Sequence, residues 1–399
     1  MSRLVAAADV LEHRFGTGPE LTVGVEEEFM LLDAESFDLV QRIEAFLRSE
    51  QRAGFGELIA AELFESLVEL HTPVCATVAD AERELRRLRA HALAVADAEG
   101  LRLGSAGTHP FSLFERQRVT GRERYRALVD ELQYAARREL IFGLHVHVAV
   151  GDPDRAIRII GALQAHLCEL VALSASSPFW RGQPTGLASC RHLIFSAFPR
   201  SGPPPHFRSY QEFAAIVGEL EACGCLEDYT RIWWDVRPHP RFGTVEVRVM
   251  DAVSRVEDTV ALTAYVQAVV ARYVAADRAG EVLPVFHPVL THENKWRAAR
   301  YGLQATVIDL AHGGPVPVGR LIERTLTEIA PHARDVRCDR ELDGIRRILR
   351  DGNGAERQLS VYAATRDTRE VARDIADVTQ ACSTTQPLRA DRARRRRAS

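Results

Sequence analysis

The chain has 399 residues, a mass of 44.4 kDa and a formal net charge of −4, with 46% hydrophobic and 27% charged residues. This is the composition of a globular protein long enough for a large core. Of its 51 lysines and arginines only Lys295 is a lysine; His292-Glu293-Asn294 precede it where a phosphate-binding loop needs glycine, so P-loop nucleotide chemistry is excluded and a Schiff-base lysine could only be Lys295.

Residues 1–9 carry too short an apolar run for a secretory signal, so the seven cysteines are expected as reduced thiols in the cytoplasm, the lone Cys223-Gly224-Cys225 pair included. No stretch approaches the roughly 20 apolar residues of a membrane span, and no membrane partner is expected. Residues 22–32 read as a strand whose two-residue period puts Glu26 and Glu28 on one face and Glu27 on the other. Residues 62–73 fit a helix with Glu62, Glu65 and Glu69 along one side, or a strand with Glu65, Glu69 and His71 on one face. The strand character of residues 68–72 favours a turn carrying Glu62 and then a strand carrying Glu69, which Pro73 ends.

Apolar spacing predicts helices over 80–98, 154–174 and 256–276. Residues 142–150 alternate, with His145 and His147 together opposite Leu144, Val146 and Val148. Residues 179–184 and 201–205 read as loops. Residues 244–250 repeat the strand design, with Glu246 and Arg248 facing away from three valines. With no internal repeat and no long linker, 1–385 read as one catalytic domain of α+β class. Residues 386–399 read as a basic, disordered tail: from Arg389 onward there are six arginines and one aspartate. The body before it is therefore acidic, which argues against nucleic acid as the main partner.

Solvated outer faces of antiparallel strands carry Glu and Arg at no cost. Here, however, several strands confine their polar positions to Glu, His and Arg, and clustered like charges on adjacent strands repel. A cation would offset that repulsion, and carboxylate oxygens with an occasional imidazole suit Mg²⁺ or Mn²⁺ better than a thiolate-preferring metal. Magnesium held by a few carboxylates commonly shares its shell with substrate phosphates, so a nucleotide is implied.

Eight ordered blocks carry a resemblance. They begin with Gly24-x-Glu26-x-Glu28-Phe29, the run from Glu62 to Glu69 closing on Thr72-Pro73, Gly107-Thr108-His109-Pro110-Phe111 and His145-Val146-His147-Val148. They continue through the run from Leu173 to Trp180, Trp233-Trp234-Asp235-Val236-Arg237-Pro238, Thr244-Val245-Glu246-Val247-Arg248 and the run from Asn294 to Gly302. In these the chain resembles the glutamate-cysteine ligase type 2 family, the bacterial carboxylate-amine ligases. The resemblance implies a glutamine-synthetase-like catalytic fold: a curved, mainly antiparallel sheet with helices on its outer face and metals and ATP on its concave face.

It also implies the reaction, in which ATP phosphorylates the side-chain carboxylate of glutamate and the amine of cysteine displaces phosphate. By match to the family, Glu26, Glu28, Glu62, Glu69 and Glu246 are candidate Mg²⁺ ligands, with His147 the better imidazole candidate and His145 a ligand or a supporting histidine. Arg248 suits the transferring phosphate and Arg237 the carboxylate of glutamate, while at least one of Lys295, Arg297 and Arg300 suits the phosphates of ATP. Trp233 and Trp234 are expected to pack. One block departs from the family: Gln183-Pro184-Thr185-Gly186 stands where Asp-Thr-Gly is usual. If that loop borders the acceptor pocket, the amine could be one other than cysteine. The expected partners are these small molecules, and a homo-oligomer is compatible with the sequence. A metal-dependent hydrolase using the same Glu/His sheet, or a nucleic-acid role for the arginine tail, are the competing classes.

Overall fold

The structure, a computed structural model, describes residues 11–53 and 58–384; the tail at 386–399 lies outside them. Its centre is a seven-stranded sheet built from β1 (Val23–Asp33), β2 (Ile59–Ala61), β3 (Leu67–His71), β4 (Leu101–Gly104), β5 (Gly143–Ala149), β6 (Val236–His239) and β7 (Thr244–Asp251). The order is β6-β7-β5-β1-β3-β2, with β4 also paired to the C-terminal half of β1, and every pairing is antiparallel. The sheet does not close, as the α+β, glutamine-synthetase-like reading requires.

Strand alternation gives the sheet two unlike faces. Val25, Val146, Val148, Val245 and Val247 point into the main core, against α1 (Val78–Ala98), α2 (Pro153–Leu163), α3 (Leu167–Ser174) and α4 (Val256–Arg278). Local signals start these helices where sequence reasoning places them. Thr77 and Asp80 form a reciprocal capping box at α1, and Asp152 caps α2 ahead of Pro153. By length and composition 153–174 and α4 could cross a membrane, which corrects the expectation that no stretch approaches that length; both are mostly buried in this core. The helix predicted over 154–174 is two helices joined by a 3₁₀ turn at Gln164–His166, where buried Gln164 and His166 turn to the carbonyl of Pro204 and the hydroxyl of Tyr273.

The loop expected at 179–184 is a small hairpin. Phe179–Trp180 pairs with Gln183–Pro184 across Arg181 and Gly182, both in the left-handed region at φ 53° and 81°. Trp233 packs on Phe198 and Trp234 on Phe207 and Phe213, as expected. The last helix, Thr368–Thr384, buries Val371, Ala372 and Ile375 in the same cluster as Met30 and Leu32 of β1.

Glu27 leaves β1 on the helix side. Its carboxylate accepts from Arg89 Nε at 2.9 Å and Thr259 Oγ1 at 2.6 Å, while Arg89 Nη1 donates to the Ser254 carbonyl at 2.8 Å. Both ionic side chains are almost fully buried, and together they tie β1, α1 and α4. Arg89→Ala would strand a buried carboxylate, so it is expected to cost about 3–5 kcal/mol in denaturant unfolding; a loss below about 1 kcal/mol would contradict this role.

Candidate functional site

The polar face of the sheet floors a cavity of about 590 Å³, and Glu26, Glu28, Glu62, Glu69, His71, His145, Arg191, Arg237, Glu246 and Arg248 all line it. Register explains the convergence. Glu26 lies between His71 on β3 and His145 on β5; Glu28 faces Glu69; Glu246 lies between His147 and Arg237. Glu62 follows β2 at the cavity edge, with its carboxylate capping the Leu63 amide at 3.2 Å. The turn-then-strand arrangement of residues 62–73 is thus what the structure contains.

The carboxylates fall into two electrostatic groups. Toward β5 and β7 they have cationic or imidazole partners. Glu26 meets His145 Nδ1 at 3.0 Å and His147 Nε2 at 3.2 Å. Burial works against its charge, but His147 and His145 hold its carboxyl well below the usual range. Glu246 accepts from Arg237 Nε at 2.7 Å and pairs with Arg248; against the cost of burial, Arg237 and Arg248 keep it ionised. His145 is pushed down to about 4 by burial and by Arg248, so it is a neutral imidazole at physiological pH.

Toward β3 the carboxylates have mainly each other. Burial and then Glu69 and Glu62 raise Glu28 well above its usual range, although the Gly143 amide donates to it at 2.6 Å. Burial and Glu69 raise Glu62 to about 7. Glu69 pairs with His71 at 2.8 Å, and that contact, against burial, lifts His71 to about 9.

Two sets of donor atoms each lie within 4.8 Å of one another: Glu26, His145 and Glu246, and Glu28, Glu69 and His145. These pairs of carboxylates with one shared neutral imidazole fit a hard divalent cation, and mutual repulsion in the second set gives such a cation work to do. The shared imidazole is His145. His147, the expected ligand, instead directs Nδ1 to Thr244 Oγ1 at 3.0 Å and packs edge-on against His239 and Phe242.

Other expected positions are not brought to this cavity. Lys295, 2% exposed, is buried in an ion pair with Asp235 and does not line the cavity. Arg297 bonds the Thr306 carbonyl and Arg300 the Gly186 carbonyl, both at the surface. All three lie on the helix Pro288–Tyr301. Arg237 spends Nε and Nη2 on Glu246 and Nη1 on the Thr230 and Ile232 carbonyls, so it positions Glu246 and is not open to a substrate carboxylate. Arg248 pairs with Glu246 through Nη1 and keeps an Nε without a protein partner. Residues 183–186 do not line this cavity.

Sequence reasoning missed Arg191 and Glu139. Arg191 comes from the short helix Cys190–Phe195, where its guanidinium lies under the bulge of β7, 3.4 Å from the Val249 carbonyl and 3.3 Å from that of Arg248. Glu139 sits in the turn before β5. Neither lies on an alternating strand, and the only available signal was acidic and basic residues beside short apolar runs.

The profile described as glutamate-cysteine ligase family 2 matches residues 22–380. A protein of Rubrobacter xylanophilus with the provisional name glutamate–cysteine ligase 2-1 is 43% identical over 88% of this chain and 92% of its own length. A Sorangium cellulosum protein with the provisional name glutamate–cysteine ligase 2 is 43% identical over 90% and 96%. Among solved structures, the glutamate–cysteine ligase of Francisella tularensis in complex with AMP superposes with a TM-score of 0.66 at 15% identity, covering 92% of this chain and 90% of that one. A bifunctional glutathione synthetase from Pasteurella multocida gives 0.62 at 14% identity, over 91% of this chain and 52% of that one.

Glu62, Glu139 and His71 all bind protons more tightly in the folded chain than in the unfolded one. The histidines that burial depresses, His109, His145, His192 and His239, oppose this only below about pH 6.5. Stability in metal-free buffer is therefore expected to fall as pH rises from about 7 to 9. A flat or rising stability across that window, measured by denaturant midpoints, would contradict the assignment.

Proposed function

The chain belongs to the glutamate-cysteine ligase family 2, and from that premise we propose that it is an ATP-dependent carboxylate-amine ligase that activates the side-chain carboxylate of glutamate and joins it to the amine of cysteine, releasing ADP and phosphate. The observation that carries this reading is the pair of carboxylate–imidazole clusters sharing His145 on the floor of a cavity that Arg248 also lines. The family membership and the AMP in the Francisella tularensis relative support nucleotide use.

A carboxylate is inert to amines because its leaving group would be oxide; converting it to an acyl phosphate, a mixed anhydride, gives it phosphate as a leaving group. Phosphoryl transfer of this kind is largely positioning and charge neutralisation. Glu26 and Glu246 would hold one divalent cation and Glu28 and Glu69, with Glu62 beside them, a second, the single lone pair of His145 serving one of the two. Mg²⁺ bound there supplies positive charge to phosphate oxygens. Arg248, held by Glu246, lines the same cavity and supplies a guanidinium charge to the transferring group, where a planar group that can bind through two N–H donors outperforms a point charge. Arg237 fixes the Glu246 carboxylate from the opposite side. His145, neutral and accepting, keeps a lone pair for a cation.

Glu26→Gln and Glu246→Gln are each expected to lower ligation by at least about 100-fold while leaving far-UV circular dichroism unchanged. Near-normal rates in both would overturn the assignment. Incubating the protein with ATP, Mg²⁺ and glutamate and a panel of amines, with phosphate release as readout, tests the substrates. Cysteine is expected to give the highest kcat/KM; turnover with another amine and none with cysteine would keep the chemistry and replace the acceptor.

A further inference from the structure

Beyond the carboxylate clusters, one end of the cavity holds an unusual concentration of polar atoms without protein partners. Glu139 is 9% exposed, lines the cavity, and has neither carboxylate oxygen hydrogen-bonded. Arg191, 4% exposed, lines the cavity beside it; its Nε has no partner and its two protein hydrogen bonds are long, at 3.3 and 3.4 Å. Buried polar groups are nearly always satisfied, and a group that is not costs roughly 1–3 kcal/mol. Acceptor oxygens and donor nitrogens left open together call for a ligand that offers both an ammonium and a carboxylate. The adjoining wall is apolar, formed by Ile141, Phe195 and Phe198.

We propose that Glu139 and Arg191 form the acceptor subsite, in which Glu139 receives the ammonium of the incoming amino acid and takes its proton while Arg191 binds its carboxylate. This rests on the ligase reading above. The carboxyl group is covered in the wall, and meeting the ammonium requires it to turn into the cavity. The donor glutamate is a poorer fit, because its own α-ammonium keeps its protons throughout, whereas an acceptor must lose one before its nitrogen can attack. Burial raises Glu139 to about 8 against the pull of Arg191 and Arg138, which suits a group that exchanges a proton near neutral pH.

The step balances. One ammonium proton passes to the Glu139 carboxylate, and the freed amine forms the C–N bond at the activated carbonyl. The C–O bond to phosphate breaks, and phosphate leaves with the second proton. Glu139 then returns its proton to solvent.

Hydroxylamine separates activation from acceptor recognition, because it is uncharged at neutral pH and attacks an activated carboxylate without help. The full chain and its Glu139→Gln and Glu139→Asp variants are compared with ATP, Mg²⁺, glutamate and either hydroxylamine or cysteine. Glu139→Gln is expected to keep hydroxamate formation within about twofold, which also shows that it folds, while the KM for cysteine rises by at least about tenfold, as for a lost charged hydrogen bond. With cysteine, kcat of the unaltered chain is expected to rise toward pH 8, a rise lost in Glu139→Gln and partly restored in Glu139→Asp. An unchanged cysteine KM and pH profile, or hydroxamate and cysteine activities falling together, would overturn the proposal. Absence of glutamate-dependent hydroxamate from the unaltered chain would instead overturn the ligase reading itself.

Discussion

Three consecutive glutamates on one strand set the terms for the rest of the structure. Because β1 alternates, Glu27 must face the helices, and only a buried guanidinium, that of Arg89, makes that position tolerable. The same alternation commits Glu26 and Glu28 to the opposite face. Antiparallel register then adds Glu69, His71, His145 and, one strand further, Glu246. A one-residue slip of β1 would put two carboxylates into the valine core, so the Glu27–Arg89 pair and the site specify each other.

The resulting face is built for charge it does not itself neutralise. Glu26 and Glu246 are held ionised by histidine and arginine, while Glu28 and Glu62 are pushed toward their neutral forms by burial and by neighbours of like sign. Buried groups of one sign are unfavourable unless something compensates. On the proposed reading, that something is a divalent cation with its phosphate, and the stability withheld from the free fold is recovered on binding. The arginines divide the labour. Arg237 is spent on Glu246, Arg248 is partly spent, and Arg191 is nearly unspent, which grades them from positioning to ligand binding.

Much of this was legible because a strand writes its geometry into sequence every second residue. Glu26 and Glu28, His145 and His147, and Glu246 and Arg248 share the faces that alternation assigns them, and the turn before Glu69 follows from the strand character of residues 68–72. Alternation says which face a residue occupies but not what its ring turns toward. The family resemblance made His147 the better imidazole candidate, whereas His145 is the one shared by both clusters. Lys295 misled for a related reason. Its block matches the family, yet its amine is fixed by Asp235, a residue 60 positions earlier in another block, and no local spacing reveals a buried pair across that distance. Glu139 and Arg191 were invisible because they stand on a turn and a short helix, where no periodicity marks a functional face.

The central claim is that the β1 carboxylates and their neighbours form a cation site. Mn²⁺ titrated into the full chain without nucleotide, followed by electron paramagnetic resonance, measures it directly. The account expects bound Mn²⁺ on the unaltered chain, displaced by Mg²⁺ and weakened in Glu28→Gln and Glu246→Gln. Equal binding in all three chains, or none at millimolar metal, would contradict it.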